Sequence, residues 1–550
     1  MNPEPTTPGA TSSGAPSGAP AGQAPPPYSS VAGPAALPGR RRWAVLLVLC
    51  LSLLVVSLDN TILNVALPTL VRDLHATDSQ LQWTVDGYTV VFAGLLITFG
   101  SLGDRAGRRG ALMSGLSVFA GGSALSAFAS SPDQLIGFRC LMGAGAALVM
   151  PATLSVLTNV FTLPKERARA IGLWSGTTGL GVAIGPIFGG WLLSHFWWGS
   201  VFLVNVPIVV VGLVAIALVV PTSRDDRAPR ADPVGAGLSV LGLGALLWGI
   251  IEAPIDGWGN GRVVLALAAA ALVLSVFVFW ELHSDHPMFQ VHFFANPRFS
   301  AASASVSFVF FALFGAMFLL TQYLQSVLGY SPMAAGARIS PVALTIIAGA
   351  PVASLVVEKV GTKSVVVAGL ATVALGLGRL SDLTVRSGYG PVLVTILVAG
   401  AGMGLTVSPA TEAIMGSLPP RQAGVGSAMN GTDIQVGGAL GVAVLGSALN
   451  EHYRGALTGT LGSLHLPPAL AQSARSSLGG ALAVATHLPR LPAAALSSSA
   501  KAAFVGGVNI ADLVGMSVAI AGALLALVFL PAKARAPGEG DGPAQSAQAL

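Results

Sequence analysis

Apolar runs of about 18 to 25 residues recur along most of this 550-residue chain. At roughly 1.5 Å of rise per helical residue, each run is long enough to cross a hydrocarbon core of about 30 Å. Fourteen runs can be delimited, at residues 43–68, 81–102, 111–130, 134–158, 170–193, 201–220, 234–254, 262–280, 299–322, 335–357, 364–383, 391–415, 425–449 and 505–530. Because backbone polar groups in lipid must be satisfied within the protein, the sequence predicts an all-α integral membrane protein with fourteen transmembrane helices.

Charged residues are scarce throughout the chain. They make up 9% of it, against about 25% of an ordinary soluble domain. The lipid bilayer is therefore the expected surroundings of most of the surface. The net charge of +5 forms no basic stripe, so no nucleic-acid partner is expected. The two cysteines, Cys50 and Cys140, lie within apolar runs and are predicted to be buried thiols rather than a disulfide.

The basic residues of the loops predict the orientation. Placing the N-terminus in the cytoplasm puts 18 Lys and Arg residues on that side and seven on the other. The 18 are Arg40, Arg41, Arg42, Arg105, Arg108, Arg109, Lys165, Arg167, Arg169, Arg224, Arg227, Arg230, Arg298, Lys359, Lys363, Arg421, Lys533 and Arg535. The positive-inside rule therefore predicts that both termini are cytoplasmic. The abundance of Ala, Gly and Pro suggests a bacterial source and hence the bacterial plasma membrane.

Two landmarks indicate an internal repeat. The segment from Gly100 to Arg109 is echoed by the segment from Glu358 to Lys363, with Asp104 and Glu358 254 residues apart. A Pro-Ala-Thr sequence beginning at Pro151 returns at Pro409, 258 residues later. Each pair falls on one predicted membrane side, so the repeat predicts two parallel six-helix halves with two helices inserted between them.

This repeat defines the predicted organisation of the chain. Residues 1–39 are rich in Pro, Ala, Gly and Ser and are predicted to be a disordered cytoplasmic tail. The N-terminal six-helix half covers residues 40–222, the two inserted helices 223–298 and the C-terminal half 299–530, followed by a disordered tail at 531–550. Within the C-terminal half, residues 450–504 are predicted to be a long external loop with short amphipathic helices.

The connection after the second run combines glycines with charges. Gly100, Gly103 and Gly107 permit tight turns, while one acid and three bases can cap helix ends and form ion pairs with a neighbouring helix. The charged residues are Asp104, Arg105, Arg108 and Arg109. A simple basic tether would need the bases but not the acid or the glycines, so the pattern favours a gating loop.

This loop resembles the signature loop of the major facilitator superfamily. Over residues 40–530 the chain is similar in detail to its fourteen-span drug:proton antiporter family, which includes exporters of quaternary ammonium compounds. Further similar segments are Leu58 to Pro68, Gln82 to Tyr88, Leu135 to Gly143, Gly181 to Gly190, Tyr323 to Pro332 and Asn430 to Ala443. The resemblance implies the major facilitator fold and alternating access.

Two positions depart from the family pattern. The Trp-Arg-Trp usual before the Phe-Leu-x-Asn-x-Pro segment is here Trp198-Gly199-Ser200, and the base usual in the thirteenth-helix motif is Ile434. These departures make it unsafe to transfer outer-gate contacts or coupling stoichiometry from the family.

The fifth run carries the motif that marks exporters in this family. Glycines spaced by four residues share one helix face and permit close approach of another helix, and a proline can bend the helix. The motif residues are Gly181, Gly185, Pro186, Gly189 and Gly190. Ordinary packing through small residues would explain the glycines alone, whereas the added proline favours an element that rocks.

Charges inside the membrane are costly and are candidate functional residues by default. The predicted proton- and substrate-binding residues are Asp59, Asp86, Arg139, Asp433 and Glu412, with Asp59 and Asp86 foremost and Arg139 tuning their charge. Each has a structural alternative: a hydrogen-bond partner on its own helix for Asp59, an interfacial position for Asp86, helix packing for Asp433 and a cytoplasmic-edge charge for Glu412. Glu252, Asp256 and Asp512 are weaker candidates.

These features lead to the hypothesis of a proton-driven efflux antiporter for lipophilic, often cationic, compounds. Burial favours the protonated form of a carboxyl group, and a bound cation favours its charged form, so one site can exchange the two. The alternatives are a dedicated exporter of one metabolite or antibiotic, an uptake symporter and, from another class, a membrane enzyme, for which no catalytic motif is found.

Other expectations follow from what the sequence lacks. The cluster of His283, Asp285, His286 and His292 lies in one polar loop interrupted by Pro287, so no metal site is predicted. No cofactor is expected beyond the proton gradient. The expected partners are small lipophilic substrates, protons and the bilayer, and the expected state is a monomer.

Overall fold

The computed structural model describes residues 39–74, 78–222, 232–284, 287, 291–418 and 422–531. Most of both predicted tails, several bases of the predicted cytoplasmic loops, and Asp285 and His286 lie outside these residues. The α-helices are α1 (Gly39–Leu74), α2 (Asp78–Ala106), α3 (Arg108–Ala127), α4 (Pro132–Val160), α5 (Pro164–His195), α6 (Ser200–Leu203), α7 (Asn205–Val219), α8 (Pro233–Asp256), α9 (Gly261–His283), α10 (Pro297–Gln322), α11 (Pro332–Ile339), α12 (Pro341–Val360), α13 (Thr362–Leu380), α14 (Tyr389–Gly416), α15 (Ala423–Leu464), α16 (Pro468–Ser476), α17 (Leu478–Ala485) and α18 (Arg490–Phe529). A 3₁₀ turn covers Val291–Ala295, and a π-helical turn, Tyr323–Val327, extends α10.

Several helices begin with proline after a capping side chain. The Ser131 hydroxyl accepts a hydrogen bond from the Gln134 amide at 3.3 Å, and the Asp232 carboxylate accepts one from the Gly235 amide at 2.8 Å. Proline at the first helical position has no amide hydrogen to satisfy, and the cap satisfies a later one. The local sequence thus defines where α4 and α8 start.

Thirteen helical segments of the described residues are long and apolar enough to cross a membrane. Every predicted span coincides with a helix or with two consecutive helices, and the thirteen segments account for all of these except α5. At 32 residues α5 is also long enough to cross a membrane, and it carries seven glycines. The all-α membrane fold is therefore confirmed.

The two halves repeat the same helix packing. In the first, α1 packs on α5, and α4 packs on both α2 and α3; in the second, α10 packs on α15, and α14 packs on both α12 and α13. The connections that begin α3 and α13 both turn at a glycine with positive φ, at Gly107 (109°) and Gly361 (84°). These glycines are 254 residues apart, as are Asp104 and Glu358, so the backbone repeats the sequence landmark.

The halves meet along two pseudo-equivalent seams, α5 against α12 and α2 against α15. The hairpin of α8 and α9 packs beside the second seam against α2 and α15, through a small apolar cluster that includes Ile97, Leu243 and Val425. We call the end of the bundle that carries the α2–α3 connection the motif end, and the other the opposite end. The N-termini of α5 and α15 and the C-terminus of α12 lie at the motif end.

Residues 450–504 are largely helical. They contain the last turns of α15, the short helices α16 and α17 and the first turns of α18. Tyr453, Leu457 and Leu496 are buried there and continue the apolar core of the C-terminal half. The Tyr453 hydroxyl donates a hydrogen bond to the Ala474 carbonyl at 2.9 Å, which ties α16 to α15.

Candidate functional site: buried acids and the contacts between the halves

Asp59 and Arg139 form an ion pair in the interior of the N-terminal half. Arg139 Nη1, on α4, donates a hydrogen bond to Asp59 Oδ2, on α1. Their side chains are only 1% and 2% exposed. An isolated charge at such a position would be very costly, so each residue compensates the charge of the other.

Neighbouring groups complete this pair. Arg139 Nε donates to the Thr84 carbonyl at 3.1 Å, and its guanidinium lies 4.4 Å from the centre of the Tyr88 ring. Asn205 Nδ2, at the start of α7, donates to Asp59 Oδ1 at 3.0 Å. Both carboxylate oxygens of Asp59 therefore accept hydrogen bonds, and the cluster ties α1, α2, α4 and α7 together. It can hold a proton or a cation only by releasing Arg139.

Asp86 lies on a different face of α2 from the residue that contacts Arg139. It comes two residues before Tyr88, and at 100° per residue the two side chains leave the helix on nearly opposite faces. Tyr88 is the residue that stacks on Arg139, and Asp86 is half-buried. The structure therefore brings Asp59 together with Arg139, and the helix geometry turns Asp86 away from Tyr88.

Asp433 is a buried acid of the C-terminal half. It lies on α15, and its side chain is buried. The Ser303 hydroxyl, on α10, donates a hydrogen bond to Asp433 Oδ2. Among the described residues no basic side chain forms an ion pair with it. One turn earlier on α15, Asn430 accepts a hydrogen bond from the Thr411 hydroxyl of α14 at 3.0 Å. The hydrogen-bond donors to Asp433 and Asn430 are thus the neutral hydroxyl groups of Ser303 and Thr411.

Asp104 joins the two halves at the motif end. Its Oδ1 accepts hydrogen bonds from Arg108 Nε at 2.7 Å and from the Ser155 hydroxyl at 3.0 Å. Its Oδ2 accepts one from the Gly424 amide, at the start of α15, at 2.6 Å. A carboxylate at a helix N-terminus is favoured by the unpaired amides and by the helix dipole. The buried Asp104–Arg108 pair therefore fastens α2 to the first turn of α15.

Of the predicted loop, only Gly107 lies between helices: Gly100, Gly103 and Arg105 belong to the end of α2, and Arg109 belongs to the start of α3. Arg105 is exposed, and Arg109 donates from Nη2 to the Ala217 carbonyl at the end of α7 at 2.8 Å. Gly103 is buried, and a Cβ at Gly100 would lie 2.6 Å from both the Ala428 Cβ and the Gly424 carbonyl oxygen. A glycine at position 100 thus allows α2 and α15 to touch.

A second set of contacts closes the motif end along α5. Arg167 donates from Nε and Nη2 to Glu412 Oε1 on α14, at 2.8 and 2.6 Å. Lys165 donates to Glu358 Oε2, at the end of α12, at 3.0 Å. The structure thus places Glu412 at the motif end in an ion pair between the halves, away from the Asp59 cluster.

The glycines of α5 face α1. A Cβ at Gly181 would lie 2.5 Å from the Ser57 Cβ, one at Gly185 would overlap Thr61 Oγ1, and one at Gly189 would lie 3.2 Å from Ile62 Cγ2. Gly190 faces the other half, where a Cβ would lie 3.0 Å from Met333 Sδ of α11. Pro186 is within α5, between these contacts. The motif therefore lines the helix that packs against both halves.

Both departures from the family pattern have structural counterparts. At Gly199 a Cβ would overlap the carbonyl oxygen of Ala127, so the end of α3 occupies the space that a side chain would need. Ile434 packs against the apolar cores of both halves. An apolar contact thus stands where the family usually has a base.

Sequence reasoning did not single out several members of these clusters. Asn205 lies in an apolar run, where a single amide gives no periodic signal. Its position in the Phe-Leu-x-Asn-x-Pro segment could nevertheless have indicated it. Thr84 acts through its backbone carbonyl, which no side-chain pattern reveals. Ser303 and Arg167 acquire partners more than 100 residues away, Asp433 and Glu412.

Two pseudo-equivalent helical halves, acids buried inside them and polar contacts that join the halves at one end are together characteristic of a secondary transporter. The comparison with known families agrees: residues 49–442 match the Major Facilitator Superfamily, and the chain belongs to that superfamily.

Known relatives include drug exporters. The chain is 34% identical to the tetracenomycin C resistance and export protein of Streptomyces glaucescens, over 92% of this chain and 95% of that protein. It is 36% identical to the multidrug efflux pump LfrA of Mycolicibacterium smegmatis, over 89% and 96%. It is 32% identical to the methyl viologen resistance protein SmvA of Salmonella typhimurium, over 86% and 94%. These relatives confirm the resemblance to drug exporters.

Solved structures share the fold. The human organic anion transporter MFSD10 superposes with a TM-score of 0.59 at 13% identity, covering 89% of this chain and all of that one. The proton:xylose symporter XylE superposes with a TM-score of 0.57 at 14% identity, covering 90% and 96%. These similarities confirm the major facilitator fold.

Proposed function

We propose that this protein is a proton-driven antiporter that exports lipophilic, often cationic, drugs or toxic compounds across a bacterial plasma membrane. The observation that carries the proposal is that two acids, Asp59 and Asp433, are buried in pseudo-equivalent halves whose motif end is fastened by polar contacts. The names of the relatives, which are multidrug and antibiotic exporters, support the same function.

The exchange follows from competition at buried acids. Protonation of Asp59 removes the charge that holds Arg139, and a cationic substrate can take the place of the proton or of the guanidinium. Each proton moving inward down about 100 mV supplies roughly 2.3 kcal/mol, which can drive export against a gradient. Asp86, half-buried on α2, is the second candidate for cation binding.

Access alternates through the seams. The Asp104–Gly424 and Arg167–Glu412 contacts hold the motif end closed, which with the orientation from the basic loops is the cytoplasmic end. In this proposal both termini are cytoplasmic, and the conformation described is open toward the outside or occluded. The domain limits at residues 40–222, 223–298 and 299–530 follow the same division, and a monomer suffices because both halves lie in one chain.

Reconstitution into liposomes tests the proposal. Lipophilic cations and neutral drugs are added in turn, and proton release is recorded with a pH-sensitive dye. We expect release with several chemically unrelated cations. No release with any compound of the panel would contradict multidrug exchange, and proton movement in the same direction as the drug would indicate a symporter.

Asp59→Asn is the direct test of the site. It should abolish the dependence of export on the pH gradient. The double variant Asp59→Asn/Arg139→Gln, which leaves no unpaired buried charge, is the matched control for folding. If the double variant, present at normal level, exports cations with undiminished dependence on the gradient, Asp59 is not the coupling residue.

The second candidate function is dedicated export of one endogenous compound. It is favoured by the similarity to an exporter named for a single antibiotic, tetracenomycin C, over nearly the whole length of both chains. Proton release with one compound of a broad panel and with no other would support it.

A further inference from the structure

Asp512 is a buried acid that the proposed exchange does not use. It lies on α18 in the C-terminal half, and the residue is 1% exposed. Neither of its carboxylate oxygens has a hydrogen-bond partner in the part of the chain that the structure describes. Asp512 differs in this respect from Asp59, because both carboxylate oxygens of Asp59 accept hydrogen bonds.

No charged group of the described residues compensates Asp512. Its helix packs against α10, α13, α15, α17 and the π-helical turn Tyr323–Val327. The titratable groups on these elements and on α18 itself are Arg298, Tyr323, Lys363, Arg379, Asp433, Glu451, His452, Tyr453, Arg454, Arg490 and Lys501. None of them forms an ion pair or hydrogen bond with Asp512, and Arg379, the basic residue of α13 closest to its level, is exposed.

The surroundings of Asp512 disfavour a charged carboxylate. Transferring an unpaired ion into an apolar interior costs several kcal/mol even after relaxation, whereas a neutral carboxylic acid avoids that cost. The burial of Asp512 therefore suits the neutral acid better than the carboxylate. An acid that holds a proton inside a proton-coupled transporter is a candidate for carrying it.

A polar side chain connects Asp512 with the opposite end of the bundle. Asn509, one turn earlier and about 4.5 Å away along the axis of α18, lies on the same helix face. Its Nδ2 donates to the Leu383 carbonyl at 3.1 Å, in the connection that follows α13, and its Oδ1 has no hydrogen-bond partner among the described residues. That free acceptor lies between the connection and the acid.

The route is apolar on the other side of Asp512. One turn further along α18, a Cβ at Gly515 would lie 3.2 Å from Leu377 Cδ1 and 3.3 Å from Leu445 Cδ1. These two leucines, from α13 and α15, are buried. A proton can thus approach Asp512 past Asn509 from the opposite end, while leucine side chains seal the path toward the motif end.

We propose that Asp512 is a second proton-binding residue, loaded from the opposite end of the bundle through Asn509. The inference rests on the proposed proton-driven export, for which the opposite end is the outside. The step is a protonation alone: hydronium from that side transfers one proton to the carboxylate and leaves water. With the motif end fastened, this conformation is the one in which the outside proton is taken up.

Infrared spectroscopy of the substrate-free protein in lipid tests the protonation without any transport. The carbonyl-stretching band of a protonated carboxyl group should be present at neutral pH and should lose intensity in Asp512→Asn. Ser517→Ala, an exposed change on the same helix, should leave the band unchanged. A band of equal intensity in wild type and Asp512→Asn would overturn the proposal.

Proteoliposomes test the coupling. With a gradient of one pH unit and no membrane potential, loss of one coupled proton should lower the limiting substrate gradient of Asp512→Asn by about tenfold. Exchange of labelled for unlabelled substrate, which needs no net proton movement, should continue. An unchanged limiting gradient would overturn the inference and leave the exporter proposal intact, whereas a wild type without drug–proton exchange would overturn the exporter and leave the infrared result standing.

Asp512→Glu covers the case in which the Asn variant does not reach the membrane. Its acid occupies the same pocket on a side chain one methylene longer, so the frequency of the carboxyl band should shift. An unshifted band would show that the signal belongs to another acid and would overturn the proposal.

Discussion

The two halves repeat a fold but do not repeat its polar contacts. At the end of α2, Asp104 is buried and bonds to the first turn of α15; at the equivalent end of α12, Glu358 pairs with Lys165, whose side chain is 74% exposed. Both acids lie at a helix C-terminus beside the start of a helix from the other half. Burial differs, and because water screens the exposed pair, the buried contact dominates the energy of closure.

The approach of the helices explains this difference. Gly100 corresponds to Ser354 in the second half, at the same offset of 254 residues. No side chain fits at Gly100 against α15, whereas the Ser354 hydroxyl fits and donates to the Ala168 carbonyl of α5 at 3.2 Å. At the seam of α2 and α15 the backbones touch, and Asp104 is excluded from water. At the seam of α5 and α12 a side chain separates the backbones, and Glu358 is not excluded from water.

The interior acids show a parallel contrast. Asp59 is paired with Arg139, whereas Asp433 has a serine donor and no cation among the described residues. The N-terminal half therefore holds an ion pair that a proton or cation must disrupt, and the described part of the C-terminal half holds buried acids without a cation.

The largest expected effect is on the paired acid. Asp59→Asn leaves Arg139 buried and uncompensated, and it should lower the free energy of unfolding by about 3–5 kcal/mol. Asp433→Asn replaces an acid without a cation and should cost about 1 kcal/mol or less. Denaturation in detergent compares them. Equal losses for the two variants would break the contrast between the halves.

The buried contact at the motif end should come next. Asp104→Ala leaves Arg108 buried without its partner and the Gly424 amide without an acceptor, so the closed state should lose about 2–3 kcal/mol. Opening is measured as labelling of a cysteine introduced at the motif end, in a chain in which Cys50 and Cys140 are replaced by Ala. The matched variant Glu358→Ala should change labelling far less.

The close approach can be tested with one methyl group. Gly100→Ala places a Cβ against Ala428 and Gly424 and should destabilise closure by about 1–3 kcal/mol. Ser354→Ala removes only a hydroxyl and should cost about 1 kcal/mol. The same labelling assay applies, and a larger effect for Ser354→Ala would reverse the assignment of the tighter seam.

The smallest effect should be at the exposed pair. Lys165→Gln should change the closed state by at most about 1 kcal/mol, and high salt should remove the difference from wild type. Labelling at low and high salt measures it. A salt-independent loss as large as that of Asp104→Ala would show that the two contacts are equivalent after all.

The sequence predicted what depends on local pattern. Apolar runs located every spanning helix, and the Gly100–Arg109 loop predicted a charged contact at a helix end. The pairing of Glu412 with Arg167 could not be read in this way, because it depends on how α5 approaches α14 in three dimensions. The glycines of α5 are the property that lets it pack closely on α1.

The predicted helix boundaries were wrong where helices extend beyond the membrane. The run at 425–449 becomes the 42-residue α15, and the run at 505–530 becomes the last part of the 40-residue α18. Beyond the apolar run these helices are amphipathic and are held by the buried Tyr453, Leu457 and Leu496. A search for apolar runs detects lipid contact and overlooks packing against other helices.

Because α15 and α18 are long, a rotation of the C-terminal half displaces the tips of these helices by a large distance. At 1.5 Å per residue they measure about 60 Å, roughly twice the hydrocarbon thickness, so they extend well past the opposite end of the spanning bundle. A small rotation of the half at the seams is magnified at their tips, near Leu464 and Arg490. Spin labels or a binding protein attached there would register the transport cycle as a displacement measurable from one side of the membrane.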